Sequence, residues 1–478
     1  MATKKDLVEA YAYSRRRLVT AFVSGAPGGR EVEPARPGRT VVAGLALAVL
    51  LLAGAAIAGV FSDRPDVDWE QPGLVIDKDS GALYVILEDG AVPGSDEPTL
   101  RSVVNVTSAQ LILGADATAQ PVPGDDIADR PKGPPIGIIG APATVPAADQ
   151  LVNGGWTACT GEGYGVHADV SGDPDVAEDD DAAFVVSSGD RLYLVAPSPE
   201  SGPEVPATAR AYPLPRGADA LTTKIGVGLT GDAVHVPAAW VALLRPGGPL
   251  DADGLGIDGA GSPVRGEVAD AVPPGTRVGD WFVTDAGQRF VVTEEGAAQL
   301  DDFAYEVLRS TTLRGHRPQE ITGSVDDTAI AYTAAPWAGS HWPTDALDNP
   351  VAEGDQLCAV LHTAPGTPPS AALAVDPGER ASAEGTGPRE VDVTVTAGHG
   401  AVVDAGGWAG EQGLPVLVDD RGMSYTLRGD DAVANLGYAG VDEVVVPDGW
   451  MELFDPGPEL SPDQALCPPT TDPEASCG

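Results

Sequence analysis

Lysine is nearly missing from this chain: five of 478 residues, within a total of 28 Lys plus Arg against 71 Asp plus Glu. The resulting formal charge of −43 repels nucleic acid and argues against a basic phosphate-binding patch. No Gly-Lys dipeptide occurs. That removes the G-x-x-x-x-G-K-[ST] loop, whose lysine works beside backbone N–H groups to cradle phosphates. The Gly-rich run at 25–30 ends in arginine and lacks that lysine. A G-x-S-x-G nucleophile elbow is also absent. The six histidines, His167, His235, His316, His341, His362 and His399, show no close pair of the kind zinc sites use. No metal, cofactor or catalytic residue is therefore expected. Aromatics make up only 5%, so the cores must rest on Val, Leu, Ile and Ala.

Long apolar runs are scarce too, and the main one organises the chain. Thr40–Phe61 is 22 residues without a charge. About 20 apolar residues span a bilayer core as a helix that satisfies its own backbone. Residues 1–39 hold eight Lys/Arg against four acids, and −47 remains on the rest once that +4 is set aside. The positive-inside rule then puts residues 1–39 in the cytoplasm and 62–478 on the far side. A cleaved signal peptide would need a 39-residue n-region, far beyond the usual few residues.

Residues 3–24 predict an amphipathic helix, with Leu7, Tyr11, Leu18 and Phe22 on one face and Arg15–Arg17 near the middle. Two roles fit it: an interfacial helix on anionic headgroups, or a docking helix for a cytoplasmic partner. Gly25–Arg39 is a Gly/Pro-rich tether. In the apolar run, Gly44–Ala48, Gly54–Ala58 and Ala55–Gly59 have the small-xxx-small spacing that lets helices approach.

Beyond the anchor, 60 Gly and 44 Pro in the whole chain point to turn-rich β structure. A hairpin pattern recurs four times, at 74–87, 185–195, 282–292 and 416–427. Each copy has an apolar alternating run, a turn glycine (Gly81, Gly189, Gly287, Gly422) and then an aromatic (Tyr84, Tyr193, Phe290, Tyr425). A longer repeat overlies it. VHVPAAWVALLRPGGPL and VVVPDGWMELFDPGPEL match at a constant offset of 210, through Pro237/Pro447, Trp240/Trp450 and Leu250/Leu460. The chain reads as a tandem duplication, about 73–250 and 280–460, with a tail at 461–478.

Four cysteines, Cys159, Cys358, Cys467 and Cys477, all follow the anchor, where disulfides persist. Four cysteines allow three connectivities, and spacing cannot choose among them. Cys159 and Cys358 each follow an Ala-Pro element, at 140–146 and 334–343. Equivalent positions of two duplicated halves can meet on a pseudo-two-fold axis, so Cys159–Cys358 is the expected bond and Cys467–Cys477 a possible local clip.

The basic run at 13–22, SGALYVI at 80–86, NVTSAQLILG at 105–114 and GIIGAP at 137–142, ordered around one anchor, resemble the EccB family of actinobacterial type VII secretion. The resemblance covers nearly the whole chain. It implies a mainly β (α+β) extracytoplasmic domain of four repeat lobes about a central core, with quasi-two-fold duplication. It also implies a single-pass inner-membrane component without catalytic activity, although some relatives carry an ATPase label. Implied partners are EccC, EccD, EccE and a mycosin protease, with homo-oligomerisation in the complex. The alternative is a membrane-anchored extracytoplasmic enzyme or surface-binding module of the cell envelope. The acid runs 173–183 and 251–258 read as solvated loops before Ca²⁺ sites, and the sequon at Asn105 reads as strand structure.

Overall fold

The computed structural model describes residues 4–24, 67–69, 71–87, 100–172, 174, 176–199, 207–326, 328–344, 347–352, 354–376, 383, 386–429 and 431–470. The expected anchor at 40–61 lies outside them, and no helix among the described residues is long and apolar enough to cross a membrane. The chain divides into two units, Met1–Asp66 and Val67–Gly478. In the first, a helix runs over Lys4–Ser24, with Leu7, Tyr11 and Leu18 exposed.

The second unit is sheet-rich α+β. It opens with β1 (Gly73–Asp77), β2 (Leu83–Ile86) and β3 (Leu100–Ser102), an antiparallel meander. Helix Val106–Leu113 follows, and β4 (Gln120–Val122) returns parallel to β1. Residues 132–136 then run parallel to β3 through Leu100–Lys132 and Val103–Ile136. A separate hairpin comes next, β5 (Trp156–Thr160) and β6 (Val166–Val170).

A second meander is formed by β7 (Phe184–Ser188), β8 (Arg191–Ser198) and β9 (Thr208–Leu214). It is flanked by β10 (Val234–His235), parallel to β7, and β11 (Arg245–Pro246), parallel to β9. A third consists of β12 (Trp281–Val283), β13 (Arg289–Val292) and β14 (Ala297–Leu300). Glu320 bridges in parallel to β12, and β15 (Tyr332–Thr333) runs parallel to β14. The chain then forms a second separate hairpin, β16 (Gln356–Ala364) and β17 (Thr367–Asp376), and β18 (Val391–Val395). The last meander, β19 (Ala401–Gly406), β20 (Pro415–Val418) and β21 (Met423–Thr426), carries β22 (Val445–Pro447) and β23 (Asp455–Pro456) parallel to its two outer strands.

All four meanders thus receive a parallel segment first on the opening strand and then on the closing strand. The turn glycines are what makes the tight hairpins possible. Gly81, Gly189, Gly287 and Gly422 have φ of 74°, 57°, 80° and 74°, where a Cβ would be strained. The fifth sheet is composite, in the order β17-β16-β5-β6-β18, and joins the two separate hairpins through their first strands.

Three of the apolar cores among the described residues join these sheets to one another. The composite sheet (Trp156, Val166, Leu357, Leu361) shares one core with the second meander through Phe184 and the fourth through Val403. The second and third meanders share another, through Leu194, Tyr212, Val291 and Phe303. The first and fourth meet through Leu111, Ile138, Leu417 and Tyr425.

Candidate functional site

The β5–β16 pair is the join between the two separate hairpins. Cys159 lies directly opposite Cys358 in its register, with Cα atoms 4.1 Å apart, and the two form a disulfide across a separation of 199 residues. Both are buried beside Val360 and Ala374. Cys467 is also disulfide-bonded, and Cys477 lies outside the described residues.

The two segments matching at offset 210 act as straps. Each lays a strand on one edge of its meander, crosses by a short helix (Ala238–Val241 or Asp448–Met451), and lays a second strand on the other edge. Their indoles are fully buried. Trp240 Nε1 donates to Ala158 O at 3.0 Å, on the strand that carries Cys159. Trp450 Nε1 donates to Leu243 O of the first strap, also at 3.0 Å. A buried N–H without a partner is costly, so each bond fixes its strap in one position. Gly247 and Gly457 then pass flat against the Tyr212 and Tyr425 rings.

Two tyrosines bolt the Ala-Pro elements in place. Tyr212 OH donates to His341 O (2.5 Å), and Tyr438 OH donates to Pro146 O (2.7 Å). Burial pushes the Tyr438 phenol above its ordinary value of 10.0. Neither bolt is visible in the sequence, because donor and acceptor lie 129 and 292 residues apart.

The motifs 105–114 and 137–142 meet in space. Asn105 is a helix N-cap: its side chain accepts from Ser108 N at 2.8 Å and donates to Ile138 O at 2.9 Å. The strand expected at this sequon is therefore a capped helix start, because a β-region Asn that satisfies an orphan N–H favours the turn into helix. Thr107 Oγ1 donates to Pro142 O (2.7 Å), and Ser108 Oγ accepts from Ile138 N (3.0 Å).

Charged groups among the described residues hold elements together. Asp419 accepts from Arg421 Nε (2.8 Å) and Tyr425 OH (3.0 Å). Burial, followed by the Asp419 charge, raises the Tyr425 phenol, and the hydrogen bond to Asp419 raises Arg421. His167 pairs with Asp392 (3.0 Å), His316 with Asp280 (2.7 Å) and His362 with Glu178 (3.0 Å). Asp280 also accepts from Arg277 N and Gln319 N, so it closes loops onto β12. The acid run 251–258 starts a helix, with Asp251 accepting from Asp253 N and Gly254 N. In the run 173–183, Glu178 serves His362, while Asp173 and Asp175 lie outside the described residues. No His/Cys/Asp/Glu cluster able to hold a metal occurs among the described residues. A cavity of about 150 Å³ is lined by Lys224, Arg289, Asp302 and Tyr305. Its Arg289 is already paired with Asp302 (2.5 Å) and stacked on Tyr305 (4.4 Å).

Comparison with known proteins fits this arrangement. ESX-1 secretion system ATPase EccB1 of Mycolicibacterium smegmatis strain MKD8 is 27% identical over 458 residues, covering 90% of this chain and 87% of that one. ESX-3 secretion system ATPase EccB3 of M. smegmatis strain mc(2)155 is 26% identical, covering 91% and 85%. A chain in the structure of an intact ESX-5 inner membrane complex shares the fold with a TM-score of 0.58 at 21% identity, over 100% of this chain and 98% of that one. A chain of the EccB3 dimer from the ESX-3 core complex does so with 0.57 at 20% identity, over 83% and 100%. Residues 1–471 match the family described as type VII secretion system ESX-1, transport TM domain B, and to that family this chain belongs.

Proposed function

We propose that the chain is a non-enzymatic structural component of a type VII secretion membrane complex. In this reading residues 1–39 are cytoplasmic, 40–61 cross the inner membrane once, and 62–478 form the periplasmic body. The four like-connected meanders are repeat lobes about the composite sheet, in two halves, 73–250 and 280–460, related by a quasi-two-fold axis at Cys159–Cys358. The lobes, bolted through buried side chains, give a rigid body suited to assembly. Its membrane partners are EccC, EccD and EccE, with a mycosin protease at the periplasmic face. Copies of the chain associate with each other, as the ESX-3 relative does in its dimer.

The observation that carries the reading is a fold likeness running end to end, over 100% of this chain, to a chain of an inner membrane secretion complex. The relatives' names include "ATPase". For this chain the structural role is favoured because no Gly-Lys dipeptide exists to build the phosphate loop. Purification of the tagged full-length chain from its own membranes in mild detergent, with mass spectrometry, tests the reading. Recovery with an FtsK-like ATPase and a multi-span protein is expected. Recovery alone, or ATP hydrolysis by the isolated chain, would overturn it.

A further inference from the structure

The cavity of about 150 Å³ lies where the second and third meanders share their core. Its floor is apolar and buried: Ile225, just after helix Asp219–Lys224, and Phe303, in the first turn of helix Asp302–Ser310. Its rim is charged. Lys224 and Arg289 bring two cations, Asp302 and Glu306 two carboxylates, and Tyr305 adds an aromatic wall.

These groups keep bonding capacity for a ligand. Arg289 donates one guanidinium N–H to Asp302 and retains the rest of its fork. The Asp302 side chain is 79% exposed, which leaves its second oxygen accessible. Glu306 approaches Arg309 only to 3.8 Å, too far for a hydrogen bond. The frame around them is fixed. Asp301 caps the helix start through Ala304 N (2.6 Å), and Tyr305 packs edge-on against Trp281 with ring centroids 4.9 Å apart. A ligand meets groups already in place, so little ordering opposes its binding.

The lining selects the chemistry. A plain anion would face Asp302 and Glu306, and a plain cation would face Lys224 and Arg289. A zwitterion is matched by both pairs. A cavity of this volume takes about six non-hydrogen atoms, the size of alanine. We propose that this cavity binds a small free α-amino acid. Its carboxylate lies toward Lys224 and Arg289, its ammonium toward Asp302 and Glu306, and its side chain on Ile225 and Phe303. The inference goes beyond the structural role and does not rest on it.

Isothermal titration calorimetry of the purified full-length chain in mild detergent, with L-alanine as ligand, tests the site. Saturable binding is expected, with a higher melting temperature at saturating alanine. Acetate and ethylammonium each carry half of the charge pattern and should bind about tenfold more weakly, the worth of one charge-assisted hydrogen bond. Leucine exceeds the cavity and should also bind more weakly. Lys224→Met and Glu306→Gln should each weaken alanine binding by about tenfold. The melting temperature of either free variant should match wild type, because Lys224 is exposed and Glu306 has no hydrogen bond to Arg309 to lose. Lys132→Met, over the Tyr84 ring in the first meander, should bind alanine like wild type. Three results would each overturn the site: no saturable binding by a cooperatively melting chain, binding unchanged in both cavity variants, or acetate binding as tightly as alanine. None of them bears on co-purification with membrane partners, which reads the structural role separately.

Discussion

Replacing Cys159 and Cys358 together by alanine should remove a large part of the body's stability. The bond joins residues 199 apart in the chain. In the chain-entropy account, a cross-link closing a loop of about 200 residues stabilises by roughly 5 kcal/mol at 25 °C, by restricting the unfolded chain. The loss of two buried sulfur atoms adds a smaller cavity cost. No hydrogen bond is lost, and the β5–β16 ladder from Trp156–Leu361 to Thr160–Leu357 can persist. The assay is equilibrium urea unfolding followed by tryptophan fluorescence, since Trp156, Trp240 and Trp450 are all buried in the core around this sheet. With a slope of about 3 kcal/mol/M, 5 kcal/mol lowers the midpoint by roughly 1.7 M. A drop below about 0.3 M would refute the reasoning, for it would mean that the unfolded chain gains little freedom when residues 159 and 358 are uncoupled. The single Cys358→Ala variant should also expose the Cys159 thiol to a maleimide probe on unfolding.

Three further outcomes are expected. A methyl group at Gly247 or Gly457 would overlap the Tyr212 or Tyr425 ring, so Gly247→Ala and Gly457→Ala should each destabilise by about 1–3 kcal/mol in thermal unfolding, by similar amounts. Asn105→Ala removes both the helix cap and the bond to Ile138 O, and should cost about 1–3 kcal/mol, whereas Asn105→Asp retains the cap and should cost less. Burial raises the Asp301 carboxyl above its ordinary 3.8, despite the cap it gives Ala304 N. The native state therefore holds that proton more tightly than the unfolded chain, and its contribution to stability grows as pH falls through the raised value toward 3.8. Asp301→Asn keeps an acceptor for Ala304 N and should flatten this slope in melts taken across that window.

Local chemistry made the hairpins legible. A turn glycine that accepts positive φ, followed by alternating apolar residues, fixes a β-hairpin within a dozen residues, and Gly81, Gly287 and Gly422 do so here. The offset of 210 likewise marked the segments around Trp240 and Trp450 as equivalent. Their role as straps was not legible, because an edge strand is defined by the strand it joins. His235 finds Ser187, and Pro456 finds Ser424, only in the folded chain. The sequon at Asn105 misled for a related reason. Val103, Val104 and Val106 around it favour strand, and what turns the chain into helix is one side-chain oxygen reaching Ser108 N.

The sequence by itself determined the acidity, the missing phosphate loop, the hairpin positions and the duplicated pattern, since each is a matter of composition or of contacts close in the chain. Tertiary structure alone decided which meanders share a core and which carbonyls receive the buried Trp and Tyr donors. Those depend on groups more than a hundred residues apart, such as Tyr212 and His341 or Asn435 and Leu111. Their pairing is set by the demand that buried polar groups be satisfied in one compact arrangement.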